Sequence, residues 1–288
     1  MEPCSFLDCL QDGLTAHKAP LGAWAKAFVN WLTDHAAFVF DGISAGLDAA
    51  IAGLLWLLQF PHPLVMILGL TLFAWWRRRS IGFAIFTAAS LLLIVNLGYW
   101  EETTETVALV LASATVCMSV GVPIGIAAAR RPWLFTLLRP VLDLMQTIPT
   151  FVYLIPALIL FGLGMVPGLI ATVIFAAPAS IRLTHLGITS TPTSLIEAGE
   201  AFGASPSQLL WKVELPYAMP QIMAGLTQTI MLSLSMVVVA ALVGADGLGV
   251  ATLRALNQVN IAKGFEVGLV IVLVAILMDR LARAEGDR

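Results

Sequence analysis

Residues 191–216 read TPTSLIEAGEAFGASPSQLLWKVELP. This stretch decides the fold, because it joins two apolar segments and yet is punctuated like folded structure. Thr191-Pro192 offers an N-cap followed by proline at the first helical position. Ser194-Leu195-Ile196-Glu197 offers an alternative start, a capping box in which Glu197 reaches back to the Ser194 backbone. Gly203 suits the end of that helix. Ser205-Pro206-Ser207-Gln208 is a second capping box, opening a helix that runs to about Glu214 and that Pro216 stops. Helices of about ten residues, roughly 15 Å long, are too short to cross a bilayer. Their apolar residues, Ile196, Phe202, Leu209, Leu210, Trp211 and Val213, require a covering surface, supplied by the chain's own bundle or by another protein.

Outward from this stretch, charges mark the boundaries. The chain has 288 residues, 59% hydrophobic and 11% charged, with mean hydropathy +0.92; an average soluble domain carries about 25% charge. That composition excludes intrinsic disorder and points to a membrane as the main solvent. A net charge of -3 argues against a nucleic-acid binder. Apolar runs at 63–76, 80–100, 106–129, 144–181, 215–245 and 266–281 predict about seven spans. The fourth run is long enough for two, divided at Gly162, Gly164, Pro167 and Gly168, and the span of the 215–245 run starts near Pro220. The expected fold is an all-α polytopic membrane protein. If Arg77-Arg78-Arg79 is cytoplasmic, alternation puts eleven of the 15 basic residues on that side, so the positive-inside rule places the N-terminus outside and the C-terminus inside.

Residues 1–62 then form an extracytoplasmic amphipathic tail, with Trp24, Phe28, Trp31, Phe38 and Phe40 set among Lys26, Asp34, Asp41 and Asp48. One or two helices on the membrane surface fit this pattern; the alternative is a further span near 43–60 that would contain Asp48. Residues 63–100 are two accessory transmembrane helices, and 101–284 the main body. Cys4 and Cys9 could pair if the tail is extracytoplasmic, whereas Cys117 sits in an apolar run as a packing residue. No cleavable signal peptide is visible.

The central stretch resembles the cytoplasmic motif of permeases of bacterial ABC importers: Glu-Ala-Ala, three residues, Gly, nine residues, then Ile-x-Leu-Pro. Here Glu197-Ala198-Gly199 is followed at the same spacing by Gly203 and by Val213-Glu214-Leu215-Pro216, with Gly199 and Val213 as departures. Pro140–Pro149, Arg182-Leu183-Thr184, Leu232–Val238 and Gly247-Leu248-Gly249 resemble the glycine betaine, proline betaine and choline branch, the quaternary-amine permeases. The resemblance covers about residues 98–284 and implies an importer-type five-helix permease core, preceded here by extra helices, in a bacterial inner membrane. It makes 186–217 a coupling loop that docks on a separate ABC ATPase subunit, through Glu197, Ala198, Gly199, Gly203, Val213, Leu215 and Pro216. It also implies an extracytoplasmic substrate-binding protein, a homodimeric pore, and ATP and Mg held by the ATPase subunit, with no cofactor in this chain. Candidates for the pathway or its gate are Asp143, Met145, Gln146, Pro149, Ser235, Met236 and Asp246.

The residues themselves bear on these expectations. No lysine follows a glycine, so the chain has no P-loop and is not expected to hydrolyse ATP. An ion-coupled carrier of a small osmolyte would need intramembrane carboxylates and inverted repeats; the spans are almost free of ionisable groups and show no repeat. An intramembrane enzyme would need a nucleophile and base within the spans, and none is visible. Asp143 reads either as a pathway carboxylate or as a charge favouring a helix N-terminus. Pro149 and Pro156 imply a kink or local unwinding. Asp246, among Gly244, Gly247 and Gly249, reads as a solvated turn residue or as part of an outer gate. The eight tryptophans fall outside the span centres and read as interface anchors.

Overall fold

Two capping signals fix the first turns of the N-terminal helices. Leu64 N–H donates to His62 Nδ1 at 3.3 Å and Pro63 takes the first helical position; Phe83 N–H donates to Ser80 Oγ at 3.4 Å. Between them Arg79 adopts the left-handed conformation (φ 47°), which ends one helix before the next begins. The computed structural model describes residues 20–283, and the pairing considered for Cys4 and Cys9 lies outside them. Among the described residues the fold is helical throughout: α1 (Leu21–Gln59), α2 (Pro63–Arg78), α3 (Ile81–Asn96), α4 (Trp100–Arg130), α5 (Pro132–Thr147), α6 (Thr150–Phe161), α7 (Met165–Thr189), α8 (Thr193–Ala201), α9 (Pro206–Leu209), a π turn (Leu210–Glu214), α10 (Leu215–Ala241), α11 (Leu248–Asn257) and α12 (Ile261–Ala282).

The centre of the molecule is α7, walled by α4 on one side and α10 on the other. Lipid offers no hydrophobic drive between apolar helices, so close van der Waals fit must hold them. On α4, Gly121 and Gly125 lie four residues apart and face α7. A Cβ on Gly121 would collide with the Ser180 side chain, and one on Gly125 would stand 2.6 Å from Thr184 Cβ and 2.8 Å from the Ile181 carbonyl. On the other side, a Cβ on Gly187 would stand 3.0 Å from Ala218 Cβ, and one on Gly168 3.0 Å from Ala240 Cβ. Ser180 Oγ donates to the Cys117 carbonyl at 3.0 Å, adding a polar tie across α4 and α7. Cys117 is fully buried, as its apolar surroundings predict.

Contacts sort the helix ends into two groups. Arg130 at the end of α4, the 190–214 loop, Arg78 at the end of α2 and Arg280 near the end of α12 gather at what we call the loop end; Arg130 reaches Pro206 and Glu214, and Arg78 reaches Arg280. The far end carries the start of α4, the α6–α7 turn, the end of α10 and α11. There Gly164 N–H donates to the Val243 carbonyl at 3.0 Å, and Leu248 N–H to Thr106 Oγ1 at 2.9 Å.

Several expectations change. Among the described residues five helices are long and apolar enough to cross a membrane: α1, α4, α7, the run from Pro206 to Ala241, and α12; α5 with α6 makes a sixth if that bent pair counts as one. The exact number of about seven spans is therefore not confirmed. α2 and α3 have 16 residues each, about 24 Å, and fall short of that length. The first half of the 144–181 run is not a straight span, since α5 and α6 meet at 97°. Pro149 is the cause: the residue before a proline is driven out of the α region, and Ile148 is extended (ψ 132°), ending α5.

In the tail, residues 21–59 form one continuous helix. Its contacts fall on the far end of the bundle. The Phe40 and Phe161 rings meet edge to face at 5.4 Å, Ile51 packs among Leu109, Val166 and Leu169, and Gln59 Nε2 donates to Thr104 Oγ1 at 2.9 Å. A short helix forms at 248–257, starting directly at the glycine-rich turn.

Candidate functional site

The 190–214 loop is a helix pair whose caps are only partly those its sequence advertises. Neither candidate start forms the first helix: Pro192 is the N-cap residue, its carbonyl accepting from Leu195 N–H at 3.0 Å, and no side chain caps it. Ser194 is already inside the helix, so its box with Glu197 cannot close. The end of α8 is well specified. Gly203 N–H donates to the Glu200 carbonyl (2.8 Å) and Ala204 N–H to the Gly199 carbonyl (3.0 Å), the paired bonds of a Schellman termination. Gly203 has φ +78°, a conformation that penalises any Cβ. Ser205 and Gln208 then form the predicted capping box, with both reciprocal bonds present.

Pro216 does not stop the second helix. The chain winds through the π turn 210–214 directly into α10, with Leu215 N–H bonded to the Leu210 carbonyl five residues back. A proline lacks only its own N–H, and in the first turn of α10 that donor is dispensable. The loop is thus rigidly continuous with a helix that runs the length of the bundle.

The predicted coupling residues divide into two roles. Gly199, Val213 and Leu209 form the seam between the two helices: a Cβ on Gly199 would lie 2.5 Å from Leu209 Cδ2, and Val213 Cγ2 is next at 3.8 Å. An alanine at Gly199 would require the end of the Leu209 side chain to shift, so this departure from the motif fits the close seam. Leu215 packs on the base of the bundle with Ile188, Ala218 and Ile222. Glu197, Ala198 and Pro216 are exposed. Beside them stand apolar side chains that the motif does not mark: Leu195 at 44% exposure, Trp211 at 63% and Phe202 at 93%. Phe202 at the apex is the largest departure from ordinary burial in the loop, and its hydrophobicity before a Gly-Ala turn was the signal for it.

Arg130 ties this pair to the core. Its Nη2 donates to the Pro206 carbonyl at 2.6 Å and to Glu214 Oε2 at 3.4 Å. The predicted pattern did not include Arg130, because nothing in its own neighbourhood of sequence shows a partner 76 residues away.

A second cluster gathers at the α5–α6 break. Arg182 on α7 donates from Nη2 to Asp143 Oδ1 (2.6 Å) and from Nη1 to Gln146 Oε1 (3.1 Å). Asp143 lies toward the C-terminal end of α5, so the helix-N-terminus reading is corrected: the carboxylate is held by the guanidinium. Buried Tyr153 donates its hydroxyl to the Met145 carbonyl at 2.6 Å, which stitches α6 back onto the end of α5 and holds the bend. Met145 is half-buried near Cys117 and Ala176, and Pro149 is exposed at the break.

Ser235 and Met236, adjacent in sequence, part company. Ser235 is exposed, while Met236 is 1% exposed and packed with Tyr153, Leu154 and Ala171. Asp246 is exposed at the far end, where it shares a cleft of about 170 Å³ with Glu101, Glu102, Glu105 and Arg254. The predicted pathway residues therefore do not form one site. Asp143, Met145, Gln146 and Pro149 cluster, Met236 backs that cluster through Tyr153, and Ser235 and Asp246 stand apart. Among the described residues no group of three or more His, Cys, Asp or Glu could hold a metal ion.

The family described as binding-protein-dependent transport system inner membrane component matches residues 121–285. The glycine betaine transport system permease protein OpuAB of Bacillus subtilis is 46% identical over 266 residues, covering 92% of this chain and 94% of its own. The glycine betaine/proline betaine transport system permease protein ProW of Escherichia coli is 44% identical, covering 93% of this chain and 75% of its own. Among solved structures, an inward-facing form of the MetNI methionine ABC transporter matches with a TM-score of 0.57 at 25% identity, over 64% of this chain and 94% of that one.

Proposed function

This chain belongs to the family of binding-protein-dependent transport system inner membrane components and is a membrane-spanning permease subunit of an ABC importer, not an enzyme; from that premise we propose that it passes glycine betaine or a closely related quaternary amine into the cytoplasm. The observation that carries the cargo is the 46% identity to a glycine betaine permease over nearly the full length of both chains. Proline betaine follows from the second relative, and choline from a more distant one named for glycine betaine, carnitine and choline.

In this reading the loop end faces the cytoplasm and the N-terminus lies outside. The basic ends of α2, α4 and α12 gather at the loop end, in keeping with the positive-inside rule. The helix pair 193–214 docks on a separate ATPase subunit, which holds ATP and Mg. Phe202, Trp211 and Leu195 supply the apolar contact, flanked by Glu197 and Ala198. Burying a side chain such as Phe202 contributes about 1.5–3 kcal/mol. Because the π turn and α10 continue the loop without a break, displacement of the pair is transmitted along α10, and Arg130 passes it to α4.

Two copies of the chain complete the pore in this reading. On α10, Tyr217, Gln221, Ala224, Gln228, Met231 and Ser235 are all exposed and recur every three or four residues, one face of a helix. Glutamines turned toward lipid would be costly; facing a second copy across a wet path they are not. Alternating access then consists of re-gating this face. ATP-driven closure of the ATPase pair moves the two coupling loops, and a substrate-binding protein delivers the amine at the far end.

The test is uptake of labelled glycine betaine by proteoliposomes holding the chain with its ATPase and binding protein. Uptake is expected to need ATP, to stop with vanadate, and to be competed by proline betaine but not by methionine. Glu197→Lys is expected to leave the chain inserted and to uncouple hydrolysis from uptake. Uptake that persists without hydrolysis, or normal coupling in Glu197→Lys, overturns the reading.

A further inference from the structure

An apolar groove of about 670 Å³ runs between α2, α3, α4, α10 and α12. Its α4 wall extends from Thr103 to Ser119, about 24 Å at 1.5 Å per residue, more than the roughly 15 Å of one leaflet of a 30 Å hydrocarbon core. Two hydroxyls in its wall are turned onto backbone carbonyls, Thr87 onto Phe83 at 2.8 Å and Thr115 onto Leu111 at 2.7 Å, which keeps the lining mainly apolar. Next to its loop end lies a polar pocket of about 500 Å³, walled by Arg78, Ser80, Phe83, Asp279, Arg280 and Arg283. The two share their helices: Phe83, Thr87 and Leu91 follow one face of α3, and the α12 residues Leu277, Met278 and Leu281 line the groove while Asp279 and Arg280 line the pocket.

The pocket holds three guanidinium groups against one carboxylate. Arg283 Nε takes Asp279 at 3.0 Å. Arg78 donates from Nε and Nη2 to the Arg280 carbonyl, at 2.8 and 2.6 Å, which fixes the pocket wall to the end of α12. The Arg280 guanidinium has no hydrogen-bond or ion-pair partner among the described residues. A cationic cup set over an apolar slot deep enough for acyl chains is complementary in charge and shape to one kind of molecule.

We propose that the groove and the pocket together bind one anionic diacyl phospholipid, its phosphate among Arg78, Arg280 and Arg283 and its acyl chains between α3, α4 and α12. The binding site stands on geometry and charge alone. Its assignment to the cytoplasmic leaflet rests on the proposed orientation. Basic pockets between transmembrane helices have the chemistry to select such headgroups over zwitterionic ones.

The assembled transporter, delipidated in detergent, is titrated with phosphatidylglycerol and with phosphatidylcholine, and bound lipid is counted by native mass spectrometry. One phosphatidylglycerol per copy of this chain is expected, held in preference to phosphatidylcholine. The double variant Arg280→Gln/Arg283→Gln is expected to bind phosphatidylglycerol about thirtyfold more weakly and phosphatidylcholine unchanged. Leu111→Trp, which fills the groove without touching the cup, is expected to weaken both lipids, and Arg254→Gln at the far end neither. Equal affinity for the two lipids, or full binding by both the double variant and Leu111→Trp, overturns the site. Detergent binding is blind to orientation. In proteoliposomes, a headgroup-labelled lipid quenched from the side opposite the ATPase overturns the orientation and leaves the site standing.

Discussion

The central helix α7 and the N-terminal helix α1 carry windows of nearly equal mean hydropathy, 1.7 and 1.6, yet 67% of the first window is buried within the molecule and 6% of the second. Both are rich in glycine and alanine. On α1, Gly42, Gly46 and Gly53 meet nothing within 4 Å, whereas Gly168 and Gly187 of α7 are pressed against α10, and Gly121 and Gly125 of α4 against α7. Hydropathy thus reports only which solvent a helix tolerates. In lipid, where apolar surface gains nothing by leaving its neighbours, the fit of one helix surface to another decides which helices form a core.

The sharpest way to break this comparison is one substitution made on each side of it. Gly125→Leu forces a branched side chain into space where even a Cβ stands 2.6 Å from Thr184 Cβ. Overpacking of this kind costs about 1–3 kcal/mol and occasionally more; with a backbone carbonyl at 2.8 Å the upper end is expected, seen as loss of folded, detergent-extractable protein. Gly46→Leu points into open space and is expected to leave yield and melting temperature unchanged. Equal effects from the two would mean that the α4–α7 seam is not what holds the bundle.

A second test asks how far the grip of that core extends. Arg130 sits at the end of α4 and holds the loop by a bond to a carbonyl and by a partly exposed ion pair. Hydrogen bonds to charged groups contribute about 1.5–3 kcal/mol, and exposure favours the lower end. Arg130→Gln is therefore expected to raise hydrogen exchange in residues 193–214 while the α7 amides stay protected. Exchange that rises equally in both would show that the loop and the core open as one unit.

What was legible in the sequence follows the same division. The solvent, the main spans and the capped loop are written locally, in charge-free runs and in Ser205-to-Gln208 spacing. The bend was half legible: Pro149 predicts a break, but the Tyr153 hydroxyl that holds it is visible only once α6 folds back on α5. Arg130 to Pro206 and Arg182 to Asp143 join residues far apart in sequence, and with one sequence nothing announces such pairs. Pro216 misled for a different reason, since a proline stops a helix only where its missing donor and its ring meet an ordinary turn, and here the preceding π turn and its place at the start of α10 remove that conflict. In the tail the alternation of aromatic and acidic residues leaves one or two helices open, and one continuous helix forms over residues 21–59.

A smaller effect belongs to the loop's own turn. Gly203→Ala keeps every side-chain contact and strains only the backbone at φ +78°, so it is expected to cost about 1 kcal/mol. That loss should fall on the loop alone, seen as reduced helicity of 193–201 by hydrogen exchange with an unaltered melting temperature of the bundle. A lowered bundle melting temperature would mean that the loop contributes to core stability and is not merely mounted on it.

The finest test compares like bonds in unlike places. Gln59 reaches Thr104 across α1 and α4 at 2.9 Å, and Ser180 reaches the Cys117 carbonyl across α7 and α4 at 3.0 Å. Interhelical hydrogen bonds in membranes average only about 0.6 kcal/mol. Gln59→Leu and Ser180→Ala are therefore both expected to lower stability by about that amount, measured by unfolding in mixed micelles, although one helix is at the rim and the other at the centre. If packing separates α1 from α7, the polar ties should not. A Ser180→Ala loss several times that of Gln59→Leu would assign part of the core's hold to that hydroxyl. It would also mean that Gly121 and Ser180 act as one polar contact, and that the small residue is there to admit the bond as much as the backbone.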